Sequence, residues 1–289
     1  MLKEQTSPTY PHSIIDATQA IYDRLADFLN QNIKTHRHLD WFSSLEWVGR
    51  QPYLVSLEDG LIQAALCATP ENKDSAWVRL YGVSKRLEEA GPWRQMLPMA
   101  VARLREMKVK QLAALALHPW FETLLVNSNF TNQQNIVVLE WQGQLPPKFR
   151  RNPDIEIRTM QFQDLPEVER IDKAAFPSLW QNSPAGLSKA FHQPGISTVA
   201  IKNDRIVGYQ ISTVMTIYGH LARLAVDPNH QREGIALALV YDLLQQFERR
   251  GFWRVTVNTQ SNNRASLKLY QKFGFRRTSE EIKVYSLTL

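Results

Sequence analysis

The residues of this chain whose types and spacing best suit chemistry form a glycine-bearing loop in its second half. The sequence over residues 226–236 reads Val-Asp-Pro-Asn-His-Gln-Arg-Glu-Gly-Ile-Ala. An apolar run typical of a buried strand precedes this loop, and a strongly helical segment, residues 237–250, follows it. A loop between a strand and a helix can point several free backbone N–H groups at one anion, with the helix dipole adding positive potential. Gly234 would let the main chain approach that anion with no Cβ in the way.

A second motif follows this loop. Residues 254–259 are rich in β-branched side chains and are predicted to form a strand. Residues 263–275 read Asn-Arg-Ala-Ser-Leu-Lys-Leu-Tyr-Gln-Lys-Phe-Gly-Phe, the pattern of a short amphipathic helix closed by glycine. The loop and this run, in this order and spacing, resemble the two cofactor motifs of the GNAT acetyltransferase superfamily.

The resemblance implies that acetyl-CoA binds between two parallel strands that splay apart. It assigns the thioester and the pantetheine arm to the main chain of Leu224, Ala225 and Val226. It assigns the pyrophosphate to the amides of Gln231, Arg232, Glu233, Gly234, Ile235 and Ala236. It further implies that Asn263 hydrogen-bonds the pantetheine and that Tyr270 is the general acid. A phenol suits that role because its pKa stays high in uncharged surroundings.

The general base is less well defined by the same resemblance. Ribosomal-protein acetyltransferases of the family often have a glutamate at the position of Asn258, and asparagine cannot usefully accept a proton. Histone-type members have their glutamate six residues before the strand-ending valine, and here that position (226 − 6 = 220) is His220. The reference pKa of histidine, near 6.5, suits proton removal through water. The alternative is a histidine that merely begins a strand.

Two further features bear on the acceptor. Arg223 lies three residues beyond His220, so strand alternation puts the two side chains on opposite faces. Arg223 is expected either to bind an acidic substrate group or to pair with a carboxylate. Residues 176–181, Phe-Pro-Ser-Leu-Trp-Gln, resemble a loop of N-terminal amine acetyltransferases. That similarity suggests a peptide or protein amine, whereas a lid or simple packing is the alternative.

Composition sets the broad class. The chain has 289 residues, 44% of them hydrophobic, which is enough for two ordinary domains. No apolar run reaches membrane-span length, residues 1–13 lack a signal-peptide core, and Cys67 has no second cysteine to pair with. These points favour a cytoplasmic protein with no membrane partner and a buried, inert thiol. No metal-ligand spacing is present.

The positive charge is concentrated in the second half of the chain. The net charge is +1 over residues 1–154 (17 basic, 16 acidic) and +5 over residues 155–289 (17 basic, 12 acidic). This distribution suits a polyanionic cofactor. Nucleic acid is an improbable partner, because no basic arm or RNA-binding motif accompanies the charge.

The first half resembles a second, worn copy of the same fold. Matching Val83 to Val226 gives an offset of 226 − 83 = 143 residues, and this offset brings Leu112 onto Val255. Prolines and a basic pair indicate a linker. We therefore predict a domain over residues 1–143, a linker over 144–154 and a second domain over 155–289. Each domain is expected to be an α/β fold: a mixed, mostly antiparallel sheet with splayed parallel central strands, flanked by helices.

The first copy is predicted not to bind the cofactor. At the same offset the loop residues become Glu88-Glu89-Ala90-Gly91-Pro92-Trp93. Two carboxylates would repel an anion, Pro92 has no N–H to donate, and Trp93 would fill the space needed for close approach. The asparagine and tyrosine of the second motif have no clear counterpart.

Together these observations predict an acetyl-CoA-dependent N-acetyltransferase (EC 2.3.1.-) that works by direct attack in a ternary complex. Its acceptor would be a primary amine: a peptide or protein N-terminus, a lysine or a small amine. One alternative is a tandem enzyme resembling mycothiol synthase, which acetylates a small amine. The other is a non-catalytic acyl-CoA-binding regulator, suggested by Asn258. The oligomeric state stays open, with a homodimer as one option.

Overall fold

The computed structural model describes residues 13–31, 33–143, 145 and 152–289. Contacts divide the chain into two compact units: the first runs to Thr131 and includes Ser286–Leu289, and the second is Asn132–Tyr285. This division differs from the predicted domain bounds because residues 132–142 belong to a strand that pairs within the second unit. Of the predicted linker, residues 144 and 146–151 lie outside the described residues.

The first unit is a mixed α/β structure. Its strands are β1 (Ser13–Asp16), β2 (Ile33–Arg37), β3 (Tyr53–Glu58), β4 (Leu61–Cys67), β5 (Ser75–Trp77), β6 (Leu80–Ser84) and β7 (Gln111–Ala116). Its helices are α1 (Tyr22–Asn30), α2 (Ala90–Glu106) and α3 (Pro119–Asn127). An antiparallel sheet has the order β1-β3-β4-β6-β2, and β5 pairs in parallel with β7. Cys67 is buried as predicted, and burial raises the pKa of its thiol to about 12.

The second unit is also a mixed sheet with helices. Its strands are β8 (Thr131–Gln142), β9 (Glu156–Thr159), β10 (Ser197–Lys202), β11 (Arg205–Val214), β12 (Gly219–Val226), β13 (Arg254–Gln260) and β14 (Arg276–Thr288). Its helices are α4 (Leu165–Ala175), α5 (Pro184–Phe191), α6 (Ile235–Arg249) and α7 (Arg264–Lys272). The strand order is β14-β8-β13-β12-β11-β10-β9. The predicted α/β fold class is confirmed.

The two faces of this sheet differ in character. Side chains alternate between faces along β12 and β13, and one set packs with α6 in an apolar cluster. The cluster includes Leu221, Val255 and Val257 of the strands and Val240, Leu243 and Phe247 of α6. An added Cβ at Gly219 would meet the Phe247 ring, so Gly219 also belongs to the α6 face. His220 and Thr256 therefore point to the opposite face.

Strand β8 completes the sheet beside β13. The two strands are antiparallel from Arg254↔Gln142 to Gln260↔Ile136. Val137, Leu139 and Trp141 of β8 are fully or almost fully buried in the α6-face cluster. The edge of β13 that faces away from β12 is thus filled by a strand from earlier in the chain.

The internal repeat is visible in strand register. Gly219 pairs with Val255 where the parallel strands β12 and β13 meet. In the first unit Ala76 pairs with Leu112 where β5 and β7 meet, and both residues differ from their counterparts by the same 143 positions. The two units therefore share this central parallel pair. Among the described residues, no helix is both long enough and apolar enough to cross a bilayer.

Candidate active site

The central strands of the second unit separate at a defined point. Parallel pairing between β12 and β13 covers only Gly219↔Val255, His220↔Thr256 and Leu221↔Val257. Beyond Leu221, β12 continues to Val226 paired only with β11, and within the described residues no strand takes its other edge. Leu224, Ala225 and Val226 lie along this open edge. The separation leaves a gap into which an extended ligand could fit.

The glycine-bearing loop lies at the end of that gap. Gly234 and Arg232 have φ values of 87° and 68°, and α6 begins at Ile235. The first backbone N–H bonded in the helix belongs to Ala238, which donates to the Gly234 carbonyl over 3.0 Å. Among the described residues, the N–H groups of residues 231–237 have no hydrogen-bond acceptor. These unused donors, with the α6 dipole behind them, suit an anion.

Ion pairs and hydrogen bonds from other parts of the second unit fix the position of this loop. Lys202 Nζ lies 2.7 Å from a Glu233 carboxylate oxygen and lowers the pKa of that carboxyl. The side chain of Asn152 donates to the Glu233 carbonyl over 3.2 Å. Burial alone would raise the pKa of Asp227, but the Asn229 N–H and the Arg170 guanidinium, 2.6 Å away, hold it below its usual value. Both carboxylates near the loop therefore stay ionised, and each has its negative charge balanced by a paired cation.

His220 lies at the start of the gap, on the face opposite α6. Its Nδ1 is 2.8 Å from Thr256 Oγ1, and the two residues are register partners. Burial lowers the pKa of His220, and a hydrogen bond with Thr256 offsets part of that shift. Because the net shift is downward, the imidazole is neutral near pH 7. Asn258 follows Thr256 on the same face of β13 and is exposed. Thr256 was not singled out from the sequence, although alternation from Asn258 would have indicated it.

A β-bulge at Ala222 corrects the predicted direction of Arg223. Ile211 pairs with Arg223 and Thr213 pairs with His220, while the register shifts between Ile211 and Ser212. Ile211 and Thr213 share a face of β11, so Arg223 and His220 share a face of β12. The expectation of opposite faces was wrong because the bulge inserts one extra residue between them.

Arg223 pairs with a buried carboxylate that sequence reasoning missed. Asp172 of α4 is fully buried and accepts from Arg223 Nε over 2.7 Å and from the Tyr209 hydroxyl. Burial raises the pKa of Tyr209 well above its ordinary value, so its hydroxyl remains a donor. Asp172 lies four residues after Val168 and next to Ile171, and these three residues form the buried stripe of the helix. A carboxylate on such a stripe is the sequence signal that could have singled out Asp172.

The second motif is built around α7. Asn263 is the N-cap of this helix, and its side chain accepts from the Ser266 N–H over 3.1 Å. Tyr270 is 4% exposed and packs 5.5 Å from the Phe275 ring in the α6-face cluster. Burial raises the pKa of Tyr270, which keeps the phenol protonated. Tyr270 and His220 thus belong to opposite faces of the sheet, with the gap between the strands separating them.

The corresponding gap in the first unit is filled by protein. Strand β2 pairs with β6 from Ile33↔Ser84 to Arg37↔Leu80. At the 143-residue offset these β6 positions correspond to residues 223–227, the open edge in the second unit. Trp93 lies in the core, 4.9 Å from the Tyr81 ring, rather than over the loop.

The second motif is also absent from the first unit. The Phe130 N–H bonds the Leu125 carbonyl just as the Phe275 N–H bonds the Tyr270 carbonyl. Leu125 therefore stands where Tyr270 does, and no phenol is available at that place.

Comparison with known proteins agrees with this geometry. The Acetyltransferase (GNAT) family matches residues 165–275. The chain is 24% identical over 132 residues to a ribosomal protein bS18-alanine N-acetyltransferase of Escherichia coli, covering 46% of this chain and 88% of that protein. It is 30% identical over 100 residues to N-alpha-acetyltransferase 30 of Schizosaccharomyces pombe, covering 32% of this chain and 67% of that protein.

Several solved structures are similar along almost the whole chain. Among them is a tandem GNAT protein from the clavulanic acid biosynthesis pathway, with a TM-score of 0.64 at 12% identity, covering 96% of this chain and 98% of that one. This likeness concerns the fold, and it extends to both units. With the splayed strands, the two motifs and the sequence match in its second unit, this chain belongs to the GNAT acetyltransferase family.

Proposed function

We propose that the second unit binds acetyl-CoA and transfers its acetyl group to a primary amine by direct attack in a ternary complex. The observation that carries this proposal is the open β12 edge leading into a loop whose N–H groups are unused. Residues 231–236 would hold the pyrophosphate, the main chain of Leu224, Ala225 and Val226 would bond the pantetheine arm and thioester, and Asn263 would bond the pantetheine. Gly234 fits this role, because a Cβ built there would meet no described atom within 4 Å, so the space beside its backbone is open to a ligand.

Each side chain has a defined task in this proposal. Bound acetyl-CoA supplies the acyl group as an activated thioester. His220, neutral and facing one side of the gap, accepts the proton of the acceptor ammonium, directly or through water. The amine nitrogen then bonds the acyl carbon, the carbon–sulfur bond breaks, and the nitrogen releases its second proton to solvent. Tyr270, from the other side, donates its proton to the leaving sulfur and recovers one from solvent.

The acceptor class is inferred from the relatives. The Escherichia coli protein is named for an alanine of a ribosomal protein, and the yeast protein is named for N-alpha-acetylation. We infer a peptide or protein N-terminal amine as the acceptor, with a small amine as the second choice. We infer a cytoplasmic location from these bacterial and fungal relatives.

A regulator that binds acyl-CoA without turnover is the second candidate, favoured by the exposed Asn258 at the position of a glutamate. Coenzyme A thiol release, measured with acetyl-CoA and a panel of alanine-initiated peptides, lysine peptides and small amines, separates the two. The proposal expects release with at least one amine. Tight acetyl-CoA binding without release for any amine would favour the regulator.

Tyr270→Phe tests the assigned acid. Removing one general acid typically costs about 10²- to 10⁴-fold in rate, and we expect a kcat loss in that range with unchanged acetyl-CoA affinity. Tyr241→Phe, a substitution in the same cluster, is the matched control and should keep the wild-type rate. Equal rates in wild type and Tyr270→Phe would remove Tyr270 from the mechanism.

A further inference from the structure

The segment over residues 176–182, between α4 and α5, is tied to strand β12 through one guanidinium group. Arg223 Nη2 donates to the Trp180 carbonyl over 2.6 Å. The same guanidinium lies 3.6 Å from the centroid of the Phe176 ring, in a cation–π contact. Arg223 therefore contacts both the start and the far part of this segment, which we name the acceptor loop.

Asp172 pairs with Arg223 and also bonds the acceptor loop directly, at its C-terminal end. One carboxylate oxygen accepts from Arg223, and the other accepts from the Asn182 N–H over 3.0 Å. The side chain of Gln181 donates to the carbonyls of Lys173 and Phe176, over 3.0 and 2.9 Å, and closes the loop on itself. The path of the loop is thus fixed by one buried ion pair, by the bonds that its two groups make to the loop, and by the side chain of Gln181.

The Arg223–Asp172 pair lies on the same face of the sheet as His220, the candidate base, and so places the acceptor loop on that face. The bulge at Ala222 brings Arg223 to the face of β12 that carries His220. Two steps along a strand separate the two side chains by about 7 Å. The acceptor loop is consequently held on the face of the candidate base, at the point where β12 leaves β13.

We propose that Arg223 and Asp172 are positioning residues that hold the acceptor loop as one wall of the amine site. The proposal rests on the proposed function. Stability alone is a weak reason for the pair, because buried ion pairs are often no more stabilising than apolar residues of equal volume. A planar guanidinium that stacks on a ring and bonds a carbonyl while pairing with a carboxylate gives orientation, which a lysine cannot reproduce.

Arg223→Lys is the test variant, because it keeps a cation beside Asp172 while losing the bond to Trp180 and the stacking on Phe176. Tyr209→Phe is the matched control, because it removes another hydrogen bond to the same Asp172 oxygen without touching the loop. We expect the lysine variant to raise the KM of an alanine-initiated peptide about tenfold or more. Its kcat and its acetyl-CoA Kd by calorimetry should stay within about twofold of wild type.

A readout independent of turnover keeps the proposal testable. Amide hydrogen exchange over residues 176–182 should accelerate in Arg223→Lys and stay at the wild-type rate in Tyr209→Phe. Wild-type exchange in the lysine variant, an unchanged peptide KM, or an equal effect of both substitutions would each overturn the proposal. A wild-type protein that releases no thiol with any amine would defeat the proposed function instead, and the exchange comparison would still decide whether Arg223 holds the loop.

Discussion

At the residue scale, the proposed chemistry depends on two side chains whose burial drives their pKa values in opposite directions. Burial lowers the pKa of His220 and raises that of Tyr270, so each favours the neutral form. A neutral imidazole can take a proton, and a neutral phenol can give one. The same physical cause, removal from water, thus suits His220 to the proposed role of base on one face of the sheet and Tyr270 to the proposed role of acid on the other.

The lowered pKa of His220 gives a pH prediction. Because the folded-state pKa lies below 6.5, the imidazole stays unprotonated to lower pH than a free histidine. In the wild type, kcat/KM should therefore decrease as the pH is lowered, and the midpoint of that decrease should lie below pH 6.5. His220→Gln should lower kcat/KM about 10²- to 10⁴-fold and abolish that decrease.

The exposed His192 provides the control for this pH profile, since His192→Gln should leave it unchanged. A wild-type midpoint above pH 6.5, or a full rate in His220→Gln, would contradict the role of His220.

Gly234→Val tests the loop. Its φ of 87° is strained for any β-branched residue, and the added branches would stand where the pyrophosphate should approach the amides. We expect calorimetry to find acetyl-CoA affinity lost while the protein stays folded. Gly251→Val carries the same strain at a φ of 80° beyond the end of α6 and should bind normally. Retained affinity in Gly234→Val would mean that this loop is not the binding element.

At the scale of elements, the structures that depend on neighbouring residues could be predicted from the sequence, whereas the pairing of distant strands could not. The predicted helices α6 and α7 are confirmed to within two residues at each end, apart from the glycine turn that follows α7. Each depends on neighbours in sequence: turn residues, apolar periodicity and caps. The bulge at Ala222 and the pairing of β8 with β13 depend on partners far along the chain, which no short window of sequence contains.

The same limit applies to the candidate site. The loop and the second motif could be found from the sequence, because each is a short contiguous run. The pairing of Asp172 with Arg223 and of Thr256 with His220 could not, because the partners lie 51 and 36 residues apart in the sequence. The wrong face predicted for Arg223 has this cause as well.

Strand β8 gives an element-scale prediction. A fragment of residues 155–289 lacks Val137, Leu139 and Trp141, and burial of such side chains contributes roughly 1.5–3 kcal/mol each. Their sum approaches the whole stability of an ordinary domain, about 5–15 kcal/mol. We expect this fragment to show no cooperative thermal transition by circular dichroism. The fragment 132–289 should show one, and equal melting of both fragments would contradict the importance of β8.

At the scale of the whole molecule, the two related units differ at the strand edge where the ligand is proposed to bind. The second unit has helix α5 between its first helix and its hairpin, whereas the first unit has strand β2 at that place in the chain. Strand β2 bonds the edge of β6 that would otherwise be open. The first unit is thus closed by backbone hydrogen bonds, in addition to the unfavourable loop residues Glu88, Glu89 and Pro92.

Titration calorimetry of the whole chain should therefore find one acetyl-CoA site. The expected stoichiometry follows from the strand pairing, because β2 would have to leave β6 before a ligand could take its place. The Gly234→Val chain serves as the control and should have no site. Two sites in the wild type, or one remaining in that variant, would contradict the closure of the first unit.

The assignment of Ser286–Leu289 to the first unit has a consequence for biosynthesis. That unit cannot be finished while residues 286–289 are still inside the ribosome, even though the rest of it emerged long before. Nor can the second unit arise from its own half of the gene, since it borrows residues 132–142. Each half of the chain holds a segment that belongs to the other half's unit, so neither unit is encoded by one uninterrupted half of the gene.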